Sequence, residues 1–203
     1  MTMYKKRQKF SGFSIKVGTA FSKLGLSPNQ WTLVSIIPVL VAIYMLLNQD
    51  FISAAILFLI SSFLDLVDGS VARVTGRVTK LGAYLDTVVD RYVEGIIAFG
   101  LLFASLPAFI IPAYSWVFLY FFGGLLTTYV KAAAKEKEII PQGTELKGGL
   151  LERAERLIIL FVGILAASIN PLYLTYVMAL LAVLTNISAL QRIGIAYRLS
   201  KKK

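Results

Sequence analysis

Apolar residues run in long blocks along this chain, and polar residues gather between them. Blocks at about 31–48, 51–74, 80–105, 113–131, 150–168 and 172–190 each read as a membrane-spanning helix by length. Turn formers separate them: Asp50, a predicted N-cap; Gly76 with Arg77 and Lys80; Pro107 and Pro112; Pro141 and Gly143 inside the polar loop 131–149; and Asn170 with Pro171. Pro38 falls inside the first block and predicts a kink there. Charges enter the first turns of the third and fifth blocks and weaken their apolar signal.

Ahead of these blocks, Phe10, Phe13, Val17, Phe21 and Leu24 recur at helical spacing among Lys5, Lys6, Arg7, Lys9, Lys16 and Lys23. That pattern predicts an amphipathic helix lying in the membrane interface, with a disordered basic leader as the alternative. Pro28 ends it, because the residue before a proline avoids helix. The expected fold is an all-α integral membrane protein: six transmembrane helices plus an N-terminal amphipathic interfacial helix. Residues 1–203 read as one domain, with a juxtamembrane segment at 1–30 and a six-helix bundle at 31–198.

Composition supports this class. Hydrophobic residues make up 57% of the chain, too many for an ordinary soluble domain. Cysteine and histidine are absent, which removes thiolate chemistry and the commonest transition-metal ligand. The remaining oxygen donors favour Mg²⁺, Mn²⁺ or Ca²⁺. The net charge of +10 is segregated, which reads as membrane topology and not as nucleic-acid binding. All 21 Lys and Arg lie in the leader, in 73–91, in 131–156 and from Arg192 onward; the turns near 47–50, 105–112 and 168–171 have none. The positive-inside rule then puts both termini on the cytoplasmic side of the cell membrane. No cleavable signal peptide is expected, because no apolar stretch with a cleavage site follows MTMYKKRQKF directly.

The anomaly is the stretch from Asp65 to Asp90, where four aspartates interrupt apolar segments. Asp65 and Asp68 share a helix face, as do Asp86 and Asp90. If the two helices pack, the carboxylates converge on the cytoplasmic side and repel one another unless cations offset them. Two divalent ions answer that repulsion, and such sites suit phosphoryl transfer. Gly69, Ala72 and Gly82 are small and allow close approach, and Arg73 can fork onto a phosphate. Each piece has a plainer reading: a solvated face for the carboxylates, packing for the glycines, an ion pair for Asp90 with Arg91. Glu94 reads as a structural neighbour.

Jointly, Asp65, Asp68, Gly69, Ala72, Arg73, Gly82, Asp86 and Asp90 resemble the signature of the CDP-alcohol phosphotransferases at every defined position. The resemblance implies six membrane helices, a homodimer, and two divalent cations, Mg²⁺ first with Mn²⁺ as the alternative. It implies Asp65, Asp68 and Asp86 as principal ligands, with Asp90 as general base that also touches metal. The implied reaction is attack of an acceptor hydroxyl on the β-phosphorus of a CDP-linked lipid, CDP-diacylglycerol or CDP-archaeol, releasing CMP. Arg73 would contact the diphosphate, Gly69, Ala72 and Gly82 would make room for the nucleotide, and Asn29 and Thr32 would lie near it.

For the acceptor, YVKAAAKEKE and GGLLERAERLII resemble the phosphatidylinositol-phosphate and archaetidylinositol-phosphate synthase branch. There Lys131, Arg153, Arg156 and Arg192 match residues that bind the phosphate of inositol phosphate. Ala133 departs from that branch, so Lys135 is carried as a further contact. Arg153 and Arg156 share a helix face and, with Lys131, make a cationic pocket suited to a phosphorylated polyol; ordinary positive-inside flanks are the plainer alternative. Glycerol-3-phosphate is the rival acceptor. A cation or proton transporter is the rival class, but it would put ionisable groups along a path across the bilayer. A non-catalytic assembly subunit leaves the aspartate signature without a reason.

Overall fold

The computed structural model describes residues 3–140, 146 and 148–201, with side chains from residue 12 onward. Pro141, Gly143, Lys147, Lys202 and Lys203, and the side chains of Lys5, Lys6, Arg7, Lys9 and Phe10, lie outside that description. The helices are α1 (Met3–Ser22), α2 (Pro28–Val34), α3 (Ile36–Leu47), α4 (Phe51–Val74), α5 (Lys80–Phe103), α6 (Ala113–Glu136), α7 (Arg153–Ala167) and α8 (Pro171–Ser200). The described residues form no β-strand beyond an isolated bridge between Phe109 and Ile111.

Among the described residues, four helices are long and apolar enough to cross a membrane: Pro28–Leu47, Phe51–Val74, Ala113–Glu136 and Pro171–Ser200. The first begins earlier than the apolar pattern suggests. Pro28 opens it, and Ser27 caps it in a reciprocal box with Gln30. The kink expected from Pro38 falls at Ser35, between α2 and α3. The proline ring presses on the carbonyl four residues back, at Val34. Around the break, the Ser61 hydroxyl on α4 donates to the Ser35 carbonyl at 2.6 Å, so a backbone group is satisfied inside an apolar setting. Asp50 caps α4 as expected, accepting from the Ser53 backbone at 3.1 Å. Bonds from the Ser53 side chain and backbone hold its carboxyl below the usual carboxylate range.

The chain divides into two compact units. The first comprises 1–44 and 56–97. Its core holds Val17 of α1, Trp31 of α2, and Val67 and Val71 of α4, with Phe21, Leu26, Leu64 and Leu66 against them. Here the interfacial expectation for α1 is modified. Val17 is buried, and Phe21 packs edge-on to Trp31 and Phe63, while Phe13 and Leu24 stay exposed. The approach of α1 to α4 is close because Gly18 has no side chain; a Cβ there would stand 2.4 Å from the Ser70 carbonyl oxygen. Glu94 is buried and ion-paired to Arg91 at 2.6 Å, the structural role expected of it.

The second unit comprises 45–55 and 98–203. Its spine is α8, whose buried Leu174, Met178, Leu181, Thr185, Ser188 and Arg192 alternate spacings of four and three, a heptad stripe. Helix α6 packs on this stripe at Gly123, where an added Cβ would meet Thr185 Oγ1 at 2.6 Å and Asn186 Nδ2 at 2.8 Å. Residues 148–152 return along α8, with the Leu151 amide donating to the Ser188 hydroxyl at 3.1 Å. Helix α7 starts at Arg153, later than the apolar block, because Glu152 and Glu155 form a capping box there.

Replacing Gly123 by Val overpacks the α6–α8 contact and is expected to destabilise the protein by about 1–3 kcal/mol. Thermal unfolding in detergent checks this through a lowered midpoint, and an unchanged midpoint would show that α6 and α8 tolerate separation.

Candidate active site

The aspartates are positioned by two ordinary helix turns. Asp65 and Asp68 sit near the end of α4, and Asp86 sits near the start of α5, so the short turn at 75–79 brings them together. Carboxylate oxygens of Asp65, Asp68 and Asp86 all lie within 4.8 Å of one another. Asp68 is buried at 5% exposure, and its Oδ2 accepts from the Thr32 hydroxyl of α2. That hydroxyl also reaches the Pro28 carbonyl at 3.2 Å. The set is hard, anionic and oxygen-only. It therefore fits a divalent cation of the Mg²⁺ or Mn²⁺ type. Asp90 follows one turn beyond Asp86 on α5, half-buried, and is not among these three.

A cleft of about 530 Å³ opens beside the carboxylates, within the first unit. Asn29, Thr32, Gly69, Ala72, Arg73 and Gly82 all line it, as do Asp65, Asp68 and Asp86. The two glycines have specific neighbours. A Cβ at Gly69 would come 3.3 Å from Arg73 Nη1, so this glycine makes room for the arginine itself. A Cβ at Gly82 would meet Thr79 Oγ1 at 3.1 Å and Asn29 Oδ1 at 3.3 Å. Pro28, carried in the sequence with Asn29 and Thr32, lines the cleft too, and so do Leu66, Arg77, Val78, Thr79 and Ala83, which the sequence pattern did not single out as site residues. For Arg77 a signal existed, since it lies one helical turn beyond Arg73, but as a turn residue it reads equally well as a topology charge.

The second group of expected site residues lies in the second unit. Arg156 and Arg192 are buried, at 2% and 3% exposure, whereas Lys131 and Arg153 are half-buried and Lys135 is exposed. Thr127 joins the two buried arginines. Its hydroxyl accepts from Arg156 Nη1 at 3.1 Å, and its carbonyl accepts from Arg192 Nη1 at 2.8 Å. Arg192 Nε donates to the Gly148 carbonyl at 2.8 Å, and its Nη2 lies 3.6 Å from Glu152. Gly148 and Gly149 take φ of 132° and 120°, and a Cβ on Gly149 would stand 3.1 Å from Arg192 Nε. Lys131 and Lys135 continue the face of α6 that carries Thr127, at spacings of four. Thr127 went unnoticed in the sequence because a threonine in a membrane helix is ordinary.

Comparison with known proteins follows this geometry. The family model for CDP-alcohol phosphatidyltransferases matches residues 25–188, a range that takes in residues of both units. The chain is 33% identical to the archaetidylinositol phosphate synthase of Pyrococcus horikoshii, over 88% of this chain and 87% of that protein. The phosphatidylinositol phosphate synthase of Mycobacterium tuberculosis, solved with CDP-DAG bound, superposes with a TM-score of 0.78 at 26% identity, covering 91% of this chain and 93% of that one. The same enzyme, solved with manganese and citrate, also gives 0.78 at 26% identity, covering 91% and 88%.

Removing one carboxylate of the triplet should weaken a divalent ion by about tenfold or more without unfolding α5. Titration of Mn²⁺ into the Asp86→Asn protein, followed by the spin-resonance signal of free ion, tests this, and wild-type affinity in that variant would exclude Asp86 as a ligand. Thr127→Val removes a hydroxyl from a buried guanidinium and is expected to cost about 1–3 kcal/mol in thermal stability.

Proposed function

The chain belongs to the CDP-alcohol phosphatidyltransferase family, and from that premise we propose that it joins a CDP-linked lipid to inositol phosphate and releases CMP. The observation that carries the reading is the carboxylate triplet at a cleft lined by Arg73, a site suited to a diphosphate. The names of the relatives support the acceptor: each is a synthase of an inositol phosphate lipid. A transporter would carry no reason for these likenesses.

In this reading Asp65, Asp68, Asp86 and Asp90 would hold two divalent ions, Mg²⁺ before Mn²⁺. The ions supply charge neutralisation of the diphosphate and of the departing CMP. The chain's own groups do the rest. Arg73 binds and orients the diphosphate through its planar fork. Asn29, Thr32, Gly69, Ala72 and Gly82 bound the nucleotide space. Asp90 takes the proton as the acceptor hydroxyl oxygen bonds to the lipid-side phosphorus. The bond from that phosphorus to the bridging oxygen breaks, and CMP leaves with that oxygen. Lys131, Arg153, Arg156 and Arg192 receive the acceptor's phosphate, with Lys135 further out. Three or four cations suit a phosphorylated polyol; free inositol or serine would leave them unused.

Topology belongs to the same proposal. Helices α5 and α7 act as the third and fifth spans beside the four apolar ones, giving six in one membrane domain, with α1 at the interface in contact with membrane lipid. Support comes from the charge map: the turn at 105–112 has no Lys or Arg, which favours α5 crossing away from the arginine-rich side. The charges of α5 all lie between Lys80 and Glu94, and Glu94 is paired with Arg91 there. Both termini and the aspartates then face the cytoplasm. Homodimer assembly is carried over from the family resemblance.

CMP release by purified protein in detergent with Mg²⁺ tests the whole, using CDP-diacylglycerol or CDP-archaeol and a panel of inositol phosphate, glycerol-3-phosphate, inositol and serine. Release is expected with inositol phosphate; preference for glycerol-3-phosphate would reassign the acceptor, and no release with any would overturn the reaction. Asp90→Asn should lower turnover by about 10²–10⁴-fold with the fold intact. Arg156→Ala should raise the acceptor KM by about tenfold or more while leaving the donor KM unchanged.

A further inference from the structure

We infer that Ser14 of the N-terminal helix α1 is a positioning residue for Arg73, so that α1 belongs to the donor site as well as to the membrane interface. The inference rests on the proposed role of Arg73 toward the donor diphosphate. Arg73 stands at the exposed end of α4, where a long guanidinium side chain has many rotamers to choose from. Its Nη2 nevertheless reaches across to α1 and donates to Ser14 Oγ at 2.7 Å. Ser14 is buried at 6% exposure, and Ser70, its neighbour on α4, is fully buried.

The donors and acceptors allow one direction through this group. Ser70 Oγ donates its single proton to the Leu66 carbonyl at 2.8 Å. The 2.9 Å contact between Ser14 Oγ and Ser70 Oγ must then be donated by Ser14. Ser14 Oγ is left with lone pairs, which accept from Arg73. The result is a directed chain, Arg73 to Ser14 to Ser70 to the Leu66 carbonyl, in which each bond polarises the next. A longer contact, Arg73 Nη2 to Ser70 Oγ at 3.3 Å, lies along the same line. With one nitrogen tethered on the α1 side, and the carbon at Gly69 absent where Nη1 lies, the guanidinium is held over the cleft with its other donors available.

Two neighbouring features make this contact possible. Gly18 lies one turn after Ser14 and lets α1 approach the Ser70 backbone; any side chain there would push α1 outward and carry Ser14 with it. Val17 anchors the same face against Val67 and Val71. The serine is thus fixed at a buried helix crossing, while the arginine it holds faces the open cleft.

The test compares wild type, Ser14→Ala, Ser14→Thr, Arg73→Ala and the Ser14→Ala/Arg73→Ala double variant in detergent. Equilibrium binding of radiolabelled CDP-diacylglycerol or CDP-archaeol, whichever the wild type retains, is read beside kcat and both KM values. Ser14→Ala should raise the donor Kd and donor KM by about tenfold, the effect of one charge-assisted bond, with the acceptor KM unchanged. Ser14→Thr keeps the hydroxyl and should recover donor affinity to within about twofold. In the Arg73→Ala background Ser14→Ala should add nothing. If Ser14→Ala is recovered poorly, Gly18→Ala reads the same contact and should show the same donor-specific loss. An unchanged donor Kd, a Thr variant no better than Ala, equal loss on donor and acceptor, or a full additive effect without Arg73 would each overturn the inference. If wild type binds donor but releases no CMP, the proposed reaction falls while the binding series still decides the role of Ser14; if it binds no donor, both fall.

Discussion

Three carboxylates within 4.8 Å of one another repel, and one of them is buried. That repulsion is the constraint around which the first unit is arranged. Among the described residues, the Thr32 hydroxyl donates to Asp68. A divalent cation would relieve the repulsion and, in the proposed reaction, would create a place for phosphate oxygens. The surrounding residues serve that purpose. Pro28 and the Ser27–Gln30 box start α2 where Thr32 can reach Asp68. Small residues at 69, 72 and 82 keep the cleft open, and Arg73 and Arg77 contribute positive charge to its wall.

The second unit uses positive charge differently. Arg156 and Arg192 are almost fully buried, and much of their hydrogen-bonding capacity is spent on protein oxygens of Thr127 and Gly148. A buried guanidinium without such partners would be costly. Tied down in this way, the pair acquires fixed orientation, and Arg192 also holds the returning segment at 148–152 against α6 and α8. The glycines at 148 and 149 are required by this arrangement, through positive φ and through the closeness of Arg192. Thr127 and the 148–152 segment are thus held by the same two side chains.

Helix α1 shows how one pattern can serve two purposes. Its described apolar positions divide between a buried set, Val17 and part of Phe21, and an exposed set, Phe13 and Ile15. Amphipathic periodicity identifies the stripe but cannot say which part of it packs against the rest of the protein, because that depends on what the other helices offer. The same ambiguity hid the α8 heptad inside a segment that is hydrophobic on every side.

By itself the sequence determined the all-helical class, and it pointed to Asp65, Asp68 and Asp86 with Gly69, Ala72, Arg73 and Gly82, which line one cleft, and to Arg156 and Arg192, which are buried around Thr127. These were legible because charge in an apolar block is costly, and because fixed spacing on a helix puts chosen residues on one face. Pro38 and Asp50 were legible for similar local reasons, a missing amide with a steric ring and a side-chain cap. Only the tertiary structure decided which groups meet across helices. It joined Thr32 to Asp68, Ser14 to Arg73, and Thr127 to both Arg156 and Arg192. Serine and threonine carry no signal in a membrane helix until a partner on another helix is within hydrogen-bond reach, and that distance is a property of packing that no spacing along the chain encodes.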